Sequence, residues 1–214
     1  KQGRAQVSMP GGCVIGPRPI DLHVKGLQAL GAAITVEHGY LVAVGEHLQG
    51  ARVHLAGACG SSVLATANVM MAATLAPGVT TIEHAACEPE VVDLANCLVA
   101  MGARIEGHGG PVIRIEGVER LRGTTYRIIP DRIEAGTLMM AAAMVGGDLM
   151  IEGARAEHLG ATLDKLTEAN VHVEKLNGGL RVVSSQPIRA IDVTTLPSPG
   201  FPTDLQAPLM ALMA

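Results

Sequence analysis

The thiol with the most reactive setting in this chain is Cys13. It lies in Pro10-Gly11-Gly12-Cys13-Val14-Ile15-Gly16-Pro17-Arg18-Pro19, where three Gly and three Pro dictate a loop rather than a core strand. A thiol in such a loop, with the guanidinium of Arg18 close along the chain, could ionise more readily than a free one. Spacing alone leaves a second reading open, a small residue in a turn. The other cysteines have weaker claims. Cys59 precedes Gly60-Ser61-Ser62 and suits a turn, Cys87 lies in a loop before a helix pattern, and Cys97 sits on a helix face as a core residue.

Among the acids, Asp204 stands out. It follows Phe201-Pro202-Thr203 and opens the last apolar helix pattern. A carboxylate there is held ionised by the helix dipole and could accept a proton, although the same position suits plain capping. Ser61-Ser62 and Asp131 precede two further apolar helix patterns. Helix N-termini offer unpaired N–H groups to phosphates, so several of them facing one cleft would favour a phosphorylated ligand. His23 has no partner visible in the sequence and reads as structural or solvent-facing. The eight histidines are scattered and no cysteine pair has CxxC spacing, so neither a zinc site nor a disulfide is expected.

The composition says what must position these groups. The 214 residues include one Phe, two Tyr and no Trp, but ten Met, with 48% hydrophobic residues overall. Aliphatic side chains and Met must therefore fill the core, which suits closely packed helices. A net charge of -4, with no basic stripe interleaved with aromatics, argues against a nucleic-acid partner. The apolar runs near Met70 and Met140 fall far short of the ~20 residues a membrane helix needs, and no signal-like core follows Lys1. The chain reads as cytoplasmic, with reduced thiols.

A repeat of about seventy residues organises the chain. Amphipathic helix patterns run over Ile20 to Leu30, Val91 to Met101 and Leu159 to Ala169. They end at Gly31, Gly102 and Asn170, residue types that tolerate the left-handed C′ conformation. A hairpin follows each helix, turning at His38-Gly39, Gly107-His108-Gly109-Gly110 and Asn177-Gly178-Gly179. A second helix type alternates with the first, over Ser62 to Leu75, Arg132 to Val145 and Asp204 to Ala214. It is apolar nearly all round, which predicts full burial. The first two of these helices lead into strands at Val79 to Glu83 and Asp148 to Glu152. The unit is helix, strand, strand, buried helix, strand. The first unit reads as starting in a loop, and the last helix lacks a C-cap, so the chain is expected to be a central fragment.

Four motifs then identify a family. Pro10-Gly11-Gly12-Cys13 with Gly16 and Arg18-Pro19-Ile20-Asp21-Leu22-His23 resembles the active loop of the UDP-N-acetylglucosamine enolpyruvyl transferases, of the EPSP synthase-like group. Glu88-Pro89-Glu90-Val91-Val92-Asp93, Pro130-Asp131-Arg132-Ile133-Glu134-Ala135-Gly136-Thr137 and Phe201-Pro202-Thr203-Asp204-Leu205-Gln206 extend the resemblance in collinear order along essentially the whole chain. The resemblance implies an α/β fold, an inside-out barrel of such repeats that is incomplete here. Residues 1–121 would form the C-terminal part of the first domain with the Cys loop, 122–127 a linker, and 128–214 part of the second domain.

The resemblance also implies a reaction. Enolpyruvyl passes from phosphoenolpyruvate to the 3′-hydroxyl of UDP-N-acetylglucosamine with release of phosphate, the first committed step of peptidoglycan synthesis. Cys13 would protonate the methylene carbon of phosphoenolpyruvate and can form a covalent adduct with it. Asp204 would take the 3′-hydroxyl proton. Arg18 would bind phosphoenolpyruvate, Pro19, Ile20, Asp21 and Leu22 would line the uridine pocket, and Ser61, Ser62 and Val63 would approach the diphosphate, with Asp131 also at the substrate. No cofactor, metal, nucleic acid or membrane is implied. Two departures stand against this. The family shows a Lys shortly before Ser-Val-Gly-Ala-Thr, whereas this chain has Cys59-Gly60-Ser61-Ser62-Val63-Leu64-Ala65-Thr66. The family's N-terminal Lys-Asn pair and C-terminal arginines are not in the chain. A truncated or diverged copy that binds the UDP-sugar without turnover, or serves a structural role, is the alternative.

Overall fold

The computed structural model describes residues 3–9, 19–57, 60–184 and 187–214. Cys13 and Arg18, and likewise Cys59, lie outside them. The chain divides into two compact units, Lys1–Arg127 and Ile128–Ala214.

The first unit contains β1 (Arg4–Ser8), α1 (Asp21–Ala29), β2 (Ala33–Glu37), β3 (Tyr40–Val44) and β4 (Arg52–His54). It continues with the short pair β5 (Ala56–Gly57) and β6 (Gly60–Ser61), then α2 (Val63–Ala73), β7 (Val79–Glu83), α3 (Pro89–Ala100), β8 (Arg104–Glu106) and β9 (Val112–Glu116). The second contains α4 (Arg132–Val145), β10 (Asp148–Glu152), α5 (Gly160–Glu168), β11 (His172–Leu176), β12 (Gly179–Val183) and α6 (Gln206–Met213).

The repeat is present as a strand–helix–hairpin module. Its three sheets share one order, β1-β3-β2, β7-β9-β8 and β10-β12-β11, each with the leading strand antiparallel to the second strand of the following hairpin. β4 adds to the middle sheet, parallel to β7. The first module opens with β1, where a loop was expected; Val7 pairs with Leu41, a non-local partner that its short segment does not reveal.

The helix ends follow the residues at C′. Gly31, Gly102 and Asn170 all have positive φ, at 101°, 100° and 68°. In each case the C′ N–H reaches back three residues and the next N–H five, as in Gly31 to Gln28 at 2.9 Å and Ala32 to Leu27 at 3.0 Å. These paired bonds satisfy carbonyls that the helix would otherwise leave bare, and aim the chain into the hairpin. In the first hairpin both turn residues, His38 and Gly39, have positive φ, which matches the twist of the strands.

Each unit has its own core. In the first, Met70 and Val69 of α2 pack with Ile82, Ile113 and Ile115 of the sheet. In the second, Met139 and Met140 of α4 pack with Leu166, Leu180 and Leu205. The apolar helices are not fully buried, however. α2 exposes Leu64 and Met71, α4 exposes Leu138, Met144 and Val145, and α6 exposes Met210. One side of each packs on its own unit, and the all-round apolar pattern exceeds what that side needs. The described residues form open sheets carrying helices, and no closed barrel is seen within either unit.

Candidate functional site

Two of the expected binding segments come together in the first unit. Pro19 and Ile20 lead into α1, which opens on Asp21 and Leu22. Leu22 packs against the core and over the β5–β6 pair: a Cβ on Gly57 would lie 3.0 Å from Leu22 Cδ1. Gly57 pairs with Gly60, and Ala56 with Ser61. Ser61 is thus carried by the strand pair on which Leu22 rests. Gly60 has φ 96°, a backbone state that side chains rarely adopt.

Ser62 caps α2 and accepts from the Ala65 N–H at 3.3 Å. The N–H groups of Val63 and Leu64 then have no acceptor within the helix. The first turn contains no acid, so this helix start suits an anion. Leu64 is 69% exposed and fills no part of the core.

A contact not visible in the sequence ties these segments together. His23 Nδ1 and Asn68 Nδ2 lie 2.9 Å apart, joining α1 to α2, so His23 is not without a partner. Burial pushes the imidazole below its ordinary value, against the opposing pull of the Asp21 carboxylate. Next along α1, Gly26 lies against Val69, where a Cβ would come within 2.2 Å of Val69 Cγ2. No local pattern foretells either contact, because each requires knowing which helix faces which.

In the second unit, Asp131 caps α4, accepting from the Ile133 N–H at 2.8 Å and the Glu134 N–H at 3.0 Å. One of its oxygens is thereby committed to the helix. Asp204 differs from the sequence expectation. It does not open α6 directly but lies in a short 3₁₀ turn, Thr203–Leu205, ahead of it. Its carboxylate is exposed and has no hydrogen-bond partner among the described residues. The turn is held by Leu205, fully buried against α4. It lies against Gly136, where a Cβ would lie 2.6 Å from Leu205 Cδ1.

The remaining cysteines are accounted for. Cys87 is half-buried and its thiol faces the Ala85 carbonyl at 3.6 Å; burial, then the Glu88 carboxylate, pushes that thiol up, away from ready ionisation. Cys97, expected in the core, is only partly buried. No group of three or more His, Cys, Asp or Glu among the described residues is placed to hold a metal ion. No helix among them is long and apolar enough to cross a membrane.

A family model described as EPSP synthase (3-phosphoshikimate 1-carboxyvinyltransferase) matches residues 1–214. The chain belongs to the EPSP synthase family. Among curated relatives it is 55% identical over 213 residues to UDP-N-acetylglucosamine 1-carboxyvinyltransferase 1 of Caldanaerobacter subterraneus subsp. tengcongensis, covering 100% of this chain and 51% of the relative. It is 52% identical over 213 residues to UDP-N-acetylglucosamine 1-carboxyvinyltransferase of Halothermothrix orenii, with the same coverage. The chain therefore spans about half the length of the curated relatives it matches. Among solved structures, the enolpyruvyl transferase NikO from Streptomyces tendae matches with a TM-score of 0.84 at 22% identity, over 100% of this chain and 51% of that one. EPSP synthase from Acinetobacter baumannii matches with a TM-score of 0.61 at 20% identity, over 100% and 48%. These structural matches establish the shared mixed α/β fold.

Proposed function

We propose that the intact protein transfers enolpyruvyl from phosphoenolpyruvate to the 3′-hydroxyl of UDP-N-acetylglucosamine, releasing phosphate, in the cytoplasm and at the start of peptidoglycan synthesis. The observation that carries this reading is the 55% identity to a curated UDP-N-acetylglucosamine 1-carboxyvinyltransferase along the whole chain. The geometry agrees with the roles drawn from the family resemblance. Asp204 presents an exposed carboxylate with no hydrogen-bond partner among the described residues, which suits a base for the sugar hydroxyl. Leu22, on the strand pair that bears Ser61, and the α2 N-terminus capped by Ser62 form one wall suited to a nucleoside diphosphate. Pro19, Ile20 and Asp21 extend that wall. Cys13 supplies the proton to the methylene carbon, and Arg18 holds phosphoenolpyruvate with a bidentate fork. Asp131 acts from the start of α4, with its second oxygen available. The fold in this reading is an inside-out barrel completed by further repeats.

Incubating the intact protein with both substrates and measuring phosphate tests this. Release should be saturable in each substrate and fall by on the order of 10²- to 10⁴-fold in Asp204→Asn. Absence of release from the wild type would overturn it. One observation favours a second reading: Leu64 stands exposed on the first turn of α2, and no Lys stands among the residues just before Ser61. A copy that binds the UDP-sugar without turnover would gain thermal stability from UDP-N-acetylglucosamine while releasing no phosphate.

A further inference from the structure

The carboxylate of Asp204 is exposed and has no side-chain or backbone donor among the described residues. Its position is therefore set by the backbone that carries it. That backbone is the single 3₁₀ turn Thr203–Leu205, closed by the Leu205 N–H on the Pro202 carbonyl at 3.1 Å. Only Leu205 of the turn is buried, and it is wholly so. It drops into α4 at Gly136, in the helix interior, where a Cβ would stand 2.6 Å from Cδ1, 3.1 Å from Cδ2 and 3.5 Å from Cγ of the leucine. A glycine in the middle of a helix costs stability relative to alanine, so its presence needs a packing reason. The leucine provides one.

We infer that Gly136 is a positioning residue for Asp204: by letting Leu205 seat fully on α4, it sets how far the turn, and with it the carboxylate, stands from the helix. The inference rests on the function proposed above. A methyl at position 136 would lift Leu205, because a fully buried side chain has little room to swing aside. The turn would follow Leu205, its one buried residue. A displacement of a fraction of an ångström to an ångström at a proton acceptor lowers the chemical step without altering the groups that bind substrate.

The test is steady-state kinetics on the intact protein. Gly136→Ala should lower kcat on the order of 10- to 100-fold, with KM for both substrates within about twofold. Leu205→Val shortens the side chain and loosens the seat, and should also lower kcat, by less. Combining the two restores volume, since valine withdraws the atoms that a Cβ would meet; the double variant should recover most of the lost kcat. In an Asp204→Asn background, Gly136→Ala should have no further effect on residual turnover. A merely structural role would show as equal losses in that background, or as failure of Leu205→Val to rescue, and either result overturns the inference. Should Gly136→Ala alone not fold, the double variant against Leu205→Val alone decides: recovery supports positioning, no recovery refutes it. If Asp204→Asn retains wild-type turnover, the functional reading itself falls and takes this inference with it.

Discussion

The two units begin their apolar helices in different ways, and the three helix starts form a graded series. At α4, Asp131 binds two backbone N–H groups with one oxygen. At α2, Ser62 binds one, at 3.3 Å. Ahead of α6, Asp204 binds none among the described residues. Asp131 and Ser62, as N-caps, thus serve their helices fully and in part, whereas Asp204, inside the turn ahead of α6, does not serve its helix. A polar atom that gives up capping stays available to a ligand, and the lost local bond must be replaced by packing. At Asp204 that replacement is Leu205 on Gly136. The first unit shows a related device at Gly26 and Val69, which bring α1 against α2 beside the His23–Asn68 contact.

The equivalence of the units can be broken most directly in their cores. Met70 and Met139 occupy matching places in α2 and α4, and both are 0% exposed. Met70→Ala and Met139→Ala should each cost about 2–5 kcal/mol in urea unfolding. Costs differing by more than the spread between repeat measurements would show that one core collapses around the cavity and the other does not, and would end the claim of matched packing.

The graded capping gives the next effect. Asp131→Ala should destabilise by about 1 kcal/mol, and Ser62→Ala by less, because its single bond is longer. Asp204→Ala should leave thermal stability nearly unchanged. A melting temperature for Asp204→Ala as depressed as that for Asp131→Ala would mean that Asp204 caps its helix after all.

The smallest expected effect concerns pH and the first unit. Burial lowers the pKa of His23, so the folded state binds its proton more weakly than the unfolded chain does. The stability linked to this group is complete above the ordinary value of 6.5 and is lost as pH falls through the lowered folded value. Hydrogen exchange between pH 7.5 and 5 should show α1 amides losing protection relative to α5 amides, and His23→Gln should remove that difference. Equal loss in both helices would detach the effect from His23.

Much of the architecture was legible because its causes are local. A Gly or Asn at C′ closes a helix through bonds to residues three and five positions back, so Gly31, Gly102 and Asn170 mark their own boundaries. The start of α4 was legible at Asp131 for the same reason. β1 was not, because five residues without a distinctive pattern become a strand only by pairing with β3. The exposed faces of α2 and α4 were misjudged because an all-round apolar helix says that burial is needed, not what covers each side.

The candidate site divides along the same line. The sequence alone determined which groups could act: the thiol at Cys13, the carboxylate at Asp204, the run from Arg18 to Leu22, the helix start at Ser62, and the family to which their order belongs. Chemistry of that kind is carried by residue type and spacing. Only the tertiary structure decided that Leu22 rests on the strand pair bearing Ser61, that His23 meets Asn68, and that Leu205 seats on Gly136 beside a carboxylate with no partner among the described residues. Those contacts join residues far apart in the chain. Their energies depend on which surfaces meet, and that is settled only when whole helices and sheets pack.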